Sequence, residues 1–285
     1  MDLGFSMRHT IQTSPRHLRM IAVTAEERGF RSLWVPEHTV VPTEYESRYP
    51  YQPDARLPFP ADTVYCDALG VLDHIAAVTE TVRLSTSVIP IISRHPLALA
   101  KQAATVDLLS GGRLELGIGA GWLAEEATAL GLPANKRGAR LDETIEILRK
   151  AWTGRPFSHQ GELWQIPEVV VSPAPAQGVD VPLWIGGGSP RAIRTIARSG
   201  FGAILPPGPP GVEMLPRIRA ELPDAAKIAI PLAVSGTAPN DNLVERCTEL
   251  RRAGADQIVI VSDADPQSAL DTVREIDAAA VLAID

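Results

Sequence analysis

The feature that most constrains the fold is a regular alternation of short β-branched runs with longer amphipathic runs, sustained over all 285 residues. Short runs at residues 3–6, 32–35, 82–92, 113–118, 181–185, 202–205, 228–234 and 257–261 read as strands, the pattern expected of buried pleated ladders. Between them lie helical patterns at 15–29, 62–79, 96–109, 122–130, 141–152, from 190 onward, and at 212–221, 243–253 and 268–283. The first is explicit: Ser14-Pro15 opens it, Leu18, Ile21, Ala22 and Ala25 recur at helical spacing, and Gly29 stops it. Strands alternating with helices imply parallel strands with covering helices. About eight units in one chain favour a closed (β/α)8 barrel over an open sheet, spanning residues 1–285 as one domain. Neither an internal repeat nor a linker divides the sequence. Two stretches interrupt the rhythm. Residues 153–181 read as a hairpin excursion around Gly161, and 39–61, rich in Pro and Tyr, as a long loop. Such a loop is either a lid or substrate wall, or a surface loop.

Composition removes whole classes of function. A formal net charge of −7 argues against a nucleic-acid or anionic-membrane binder, which needs a basic face. The 45% hydrophobic content excludes a disordered chain. No window reaches the ~18 apolar residues of a transmembrane helix, and Met1-Asp2-Leu3-Gly4-Phe5-Ser6 has no signal-peptide character. A cytoplasmic protein acting on a small molecule is the expectation, with neither nucleic acid nor membrane as partner. Cys66 and Cys247 lack CxxC spacing and are expected to be buried thiols in a reducing compartment.

A barrel carries its site at the carboxyl ends of its strands. Attention therefore falls on Ser6, Glu37-His38, Ser87-Val88, Gly119 to Trp122 and Gly186 to Ser189. Gly117-Ile118-Gly119-Ala120-Gly121-Trp122 follows a strand and opens a helix. Glycines there let backbone N–H groups approach a phosphate, although a plain strand-to-helix turn explains them as well. The G-x-G-x-G spacing after about three strand–helix cycles does not fit a dinucleotide fingerprint. Ile185-Gly186-Gly187-Gly188-Ser189-Pro190-Arg191 is a second such junction. Ser189 can cap the helix, and Arg191 either adds a charge-assisted bond to a phosphate or is a solvated helix-face arginine. Glu37 beside His38 is either a proton-transfer pair or a structural one. His9, His17, His74, His95 and His159 show no metal-ligand spacing. No nucleophile elbow or P-loop is present.

Together these segments resemble the luciferase-like monooxygenase superfamily of flavin and deazaflavin oxidoreductases. Four stretches carry the match: residues 25–38 (AEERGFRSLWVPEH), 82–88 (VRLSTSV), 104–122 (ATVDLLSGGRLELGIGAGW) and 182–187 (PLWIGG). The third is the most specific, and the last third of the chain matches only in its β/α rhythm. The resemblance implies a (β/α)8 barrel binding coenzyme F420 or FMN at the strand ends. It implies a non-prolyl cis peptide behind the ring at Ser87-Val88 and a phosphate region near Gly119, Ala120 and Gly121 and near Gly186, Gly187 and Gly188. It sets Glu37 and His38 beside the ring, His38 as proton donor or acceptor. The sugar-phosphate dehydrogenases of the family carry a catalytic glutamate where this chain has Trp122, which cannot exchange that proton.

Three functions follow from the resemblance. The first is an F420-dependent oxidoreductase exchanging a hydride with a small organic substrate, its pocket walled by Tyr45, Tyr49, Tyr51 and Phe59. The second is an FMN-dependent monooxygenase, with a flavin reductase as partner. The third is a catalytically silent flavin-binding protein. Family habit adds the expectation of a homodimer.

Overall fold

The structure is a computed structural model, and it describes all residues except 8–13, 53, 58, 64–65, 235–241, 263–264 and 283–285. The expectations touching His9, Ala283 and residues 64–65 lie outside the described residues. Numbered along the chain, the strands are β1 (Asp2–Ser6), β2 (Ser32–Val35), β3 (Arg83–Thr86), β4 (Ile89–Pro90), β5 (Leu114–Gly119), β6 (Phe157–Gln160), β7 (Gln165–Val169), β8 (Leu183–Gly186), β9 (Gly202–Ile204), β10 (Ile228–Ala233) and β11 (Gln257–Val261). The helices are α1 (Pro15–Glu27), α2 (Ala68–Ala76), α3 (Pro96–Leu109), α4 (Ala124–Ala129), α5 (Arg137–Ala151), α6 (Pro190–Ser199), α7 (Pro209–Glu221), α8 (Leu243–Arg252), α9 (Pro266–Glu275) and α10 (Ala278–Leu282).

The main sheet runs in the order β3-β2-β1-β11-β10-β9-β8-β5-β4, and a further β3–β5 pairing closes it. All these pairings are parallel, with β3 and β4 sharing one stave, so the sheet is a closed eight-stranded barrel. β6 and β7 form the antiparallel hairpin outside it.

Two cores hold the barrel. The larger lies between strands and helices and takes residues such as Leu3, Phe5, Leu33, Leu116 and Ile258. The smaller fills the lumen with Trp34, Trp184, Ile204, Ala229 and Val259. Alternation along each strand separates the two sets, since successive side chains face opposite sides. Trp34 and Trp184 meet edge to face, ring centroids 5.3 Å apart. Each indole N–H finds a polar partner below: Trp34 donates to Ser32 Oγ at 2.7 Å and Trp184 to Glu115 Oε2 at 3.1 Å. Two rings this large fit only because small residues oppose them. A Cβ on Gly202 would come within 2.2 Å of the Trp184 ring.

Several boundaries differ from the sequence reading. The expected strand 82–92 breaks after Thr86 and resumes at Ile89, with the Ser87–Val88 peptide cis between. The helix expected over 62–79 begins at Ala68, because Asp67 caps it by accepting from Gly70 N–H at 2.9 Å. The helix expected at Trp122 begins at Ala124, and that expected at 141 begins at Arg137. The last expected helix is two, since Ile276 leaves the helical conformation and Ala278 N–H bonds to Arg28 O at 3.1 Å. Cys66 is exposed rather than buried, because it sits in the loop before α2. Cys247 is buried, which pushes its thiol up to about 11.

Candidate active site

The carboxyl ends of the strands open into a cavity of about 360 Å³, within the size range of small-molecule sites. Its floor is apolar and closely built. Val88 stands on the lumen core, flanked by Gly119 and Gly186. A Cβ on Gly119 would meet Val88 Cγ2 at 2.8 Å, and one on Gly186 would meet Val88 Cγ1 at 3.0 Å. The two glycines therefore let Val88 lie flush between β5 and β8. At one side the wall passes through Gly187, Gly188 and Ser189 into α6, whose N-terminus Ser189 caps by accepting from Ala192 N–H at 3.2 Å.

His38 follows β2 and reaches the cavity with 14% of its side chain exposed. Its Nδ1 lies 3.0 Å from Oε2 of Glu126, whose side chain is 1% exposed. Glu126 Oε1 accepts from Thr39 N–H at 2.7 Å. A carboxylate accepts and does not donate, so this contact places the imidazole proton on Nδ1 and leaves Nε2 the basic nitrogen of the neutral ring. Glu37, next along the chain, is bound differently. Its Oε1 accepts from Arg94, Nε at 2.9 Å, and its Oε2 from Ala68 N–H at 3.0 Å. Arg94 also pairs with Asp67. Burial pushes the Glu37 carboxyl up from its ordinary value, against the pull of Arg94. Glu37 thus ties the end of β2 to the start of α2, while Glu126 orients His38.

The long loop after β2 covers the cavity and is stapled to the first turn of α4. Glu125 Oε1 accepts from Glu46 N–H at 2.8 Å and Ser47 N–H at 3.0 Å, and Ser47 Oγ accepts from Ala124 N–H at 3.1 Å. Burial pushes the Glu125 carboxyl up, but the Ser47 hydroxyl and the backbone N–H groups outweigh it and hold it at about 2. Across the loop, Tyr49 packs against Trp122 with centroids 5.1 Å apart and against Tyr51 at 5.5 Å. Trp122 meets His38 edge-on at 6.3 Å, and Phe59 lies 6.0 Å from the same ring. Burial raises the Tyr51 phenol.

The structure gathers Glu37, His38, Ser87, Val88, Gly119, Ala120, Gly121, Trp122, Gly186, Gly187 and Gly188 around this one cavity. Arg191 is not among the lining residues. It turns to α5 and binds Asp142 Oδ2 through NH2 at 2.6 Å. Two residues of the site went unread in the sequence. Glu126 gave only the signal of an acid in a helical first turn, and Arg94 that of a cation before a helix.

The chain is 35% identical over 179 residues to an uncharacterized protein of Mycobacterium tuberculosis, covering 63% of this chain and 62% of that one. It is 31% identical over 201 residues to an F420-dependent glucose-6-phosphate dehydrogenase of Amycolatopsis mediterranei, covering 69% of this chain and 55% of that enzyme. The chain thus spans less than two thirds of these relatives. In fold it is similar to a monooxygenase from Streptomyces bottropensis, with a TM-score of 0.77 at 20% identity over 96% of this chain and 97% of that one. A family model for luciferase-like monooxygenases matches residues 3–278, and the chain belongs to that family.

Proposed function

We propose that this protein is an oxidoreductase that binds the deazaflavin coenzyme F420 in the strand-end cavity and exchanges a hydride with a small organic substrate. The observation that carries the reading is the pairing of a flat apolar floor with an oriented imidazole at its edge. Val88, Gly119 and Gly186 offer a surface on which a planar ring fits; a Cβ at Gly119 would collide with Val88, and one at Gly186 would crowd it. The α6 N-terminus beyond Gly187 and Gly188 suits a phosphate, since a helix start presents N–H groups and a positive dipole end. When bound, such a cofactor brings the hydride chemistry with it. This chain's residues hold and orient it, exclude water beneath the aromatic loop, and exchange a proton at His38 Nε2. The F420-dependent relative favours the deazaflavin over FMN.

The test is a fluorescence titration of the purified protein with F420 and with FMN. The reading expects saturable F420 binding at least about tenfold tighter than FMN. Preference for FMN would make the protein a candidate monooxygenase served by a flavin reductase, and binding of neither would remove the proposal. His38→Ala separates an enzyme from a silent binding protein. Turnover of the loaded protein falls by about 10²-fold or more if His38 moves the proton, whereas a carrier shows no turnover before or after the substitution and keeps its cofactor affinity.

A further inference from the structure

We infer that the substrate taken by this cavity is an uncharged, predominantly apolar molecule with a single hydroxyl or carbonyl group for His38, and not a phosphorylated or otherwise anionic one. The inference rests on the reading of the cavity as a joint cofactor and substrate site. It starts from the charges present. Among the described residues, the cavity lining contains two carboxylates, Glu37 and Glu126, and the imidazole of His38, but no lysine or arginine. Three arginines close to the lining are turned to other partners. Arg94 is held between Glu37 and Asp67, Arg137 donates to the carbonyls of Gly121 and Trp122, and Arg191 is bound to Asp142. A phosphate on the substrate would therefore meet the Glu126 carboxylate and an already paired Glu37, and would find no guanidinium or ammonium in the lining to balance it.

The second observation is the shape and chemistry of the wall. Tyr51, Tyr49, Trp122 and His38 form one continuous run of edge-to-face contacts, with centroid spacings of 5.5, 5.1 and 6.3 Å. Leu57 and Phe59 extend it. Ring faces carry the negative side of the aromatic quadrupole, so they favour apolar groups and cations and disfavour anions. Trp122 is the hinge of the run. It touches the loop at Tyr49 and the imidazole at His38, and so stands where an apolar substrate body would pass from the loop wall to the reacting edge. Polar recognition is left to His38 and to neutral hydroxyls such as those of Ser6, Ser87 and Tyr51, which suits an uncharged hydrogen-bonding group on an otherwise apolar molecule.

The experiment compares two probes that share a ring and differ in charge, 1-phenylethanol and phenyl phosphate. Each is titrated by saturation-transfer NMR against the protein carrying whichever cofactor binds, so that any phosphate-binding junction is already filled. The expected result is saturable binding of 1-phenylethanol, with phenyl phosphate at least about tenfold weaker. Trp122→Ala and Tyr49→Ala should each weaken 1-phenylethanol about tenfold, in variants whose denaturation midpoints show them folded. Equal or tighter binding of phenyl phosphate overturns the inference, as does absence of saturation by 1-phenylethanol or indifference to both substitutions. A protein that binds F420 yet prefers phenyl phosphate overturns the substrate class alone. A protein that binds neither cofactor overturns the proposed function, and the same probe pair on the bare protein then decides whether the cavity selects uncharged apolar molecules.

Discussion

His38 and Glu126 are 88 residues apart in the chain and 3.0 Å apart in the fold. A buried carboxylate on one imidazole nitrogen fixes which nitrogen faces the chemistry. Replacing it with an amide keeps the shape and removes that preference, because Gln can donate to Nδ1 as well as accept from Thr39. Glu126→Gln is therefore expected to shift His38 from the Nδ1–H tautomer toward Nε2–H. Two-bond ¹H–¹⁵N correlation spectra report this directly, and an unchanged tautomer would refute the positioning role. The same substitution should lower turnover by about 10- to 100-fold. Glu37 calls for a different expectation. Its side chain and that of Arg94 are 1% and 10% exposed, so removing Arg94 leaves a buried carboxylate without its cation, whereas Arg94 without Glu37 still holds Asp67. Arg94→Ala should cost about 3–5 kcal/mol in urea denaturation, the usual penalty for breaking a buried pair. Glu37→Gln, which still accepts from Arg94 and Ala68, should cost clearly less. The Arg94→Ala deficit should shrink as the pH falls, since a protonated Glu37 is buried more cheaply than an ionised one.

Among the elements, α4 is the one the sequence conveyed least and the site uses most. Leu-Ala-Glu-Glu after a glycine turn reads as a helix with acids favouring its dipole. In the fold those two acids face outward from the helix axis and seize another segment, Glu125 holding Glu46 and Ser47 while Glu126 holds Thr39 and His38. Strand and helix periods report which face is buried; they say nothing about which distant N–H groups a carboxylate will meet. The same limit explains Arg191, whose partner Asp142 lies on a different helix. It also explains the broken strand at 82–92, where local β propensity continues across the Ser87–Val88 break. The loop clamp leads to a pH prediction with a definite sign. Glu125 lies at about 2 in the folded protein against an ordinary 4.5. A lowered acid contributes its stabilisation above its unfolded value and loses it as pH falls toward the folded one. Protection factors of the Glu46 and Ser47 amides, corrected for intrinsic exchange, should hold above about pH 5 and drop as the pH approaches 2. Glu125→Gln should lower them already at neutral pH and flatten the dependence. Equal protection in the variant would show that the aromatic contacts alone hold the loop.

For the molecule as a whole, the sequence was most legible where a single period runs through an element and least where elements meet. The barrel could be read because each of its eight staves carries its own short run of buried residues, separated from the next by a helical pattern. The alternation that sends Trp34 and Trp184 into the lumen is equally local. The cavity rim could be read as far as its strand ends, Glu37-His38, Ser87-Val88, Gly119 and Gly186, because a parallel barrel puts all such ends on one rim. What joins those ends is long-range, and it exists only when the staves pair in the folded sheet. Val88 comes from the third stave, Gly119 from the fourth and Gly186 from the fifth, and the β4–β5 pairing at Ile89↔Ile118 sets the first two side by side. A ligand resting on that floor therefore binds the closed barrel and has no counterpart site in the unfolded chain. Linkage then fixes the size of the effect. Ligand at one hundred times its dissociation constant adds about 2.7 kcal/mol to the unfolding free energy. F420 at that excess should raise the urea midpoint by 2.7 kcal/mol, to within error, divided by the measured m-value. The gain should be felt at strands remote from the cavity, such as β1 and β11, as strongly as at β5, since they open together. Slowed exchange confined to residues 39–61, with no shift in the midpoint, would mean that the cofactor is held by the loop and not by the barrel floor.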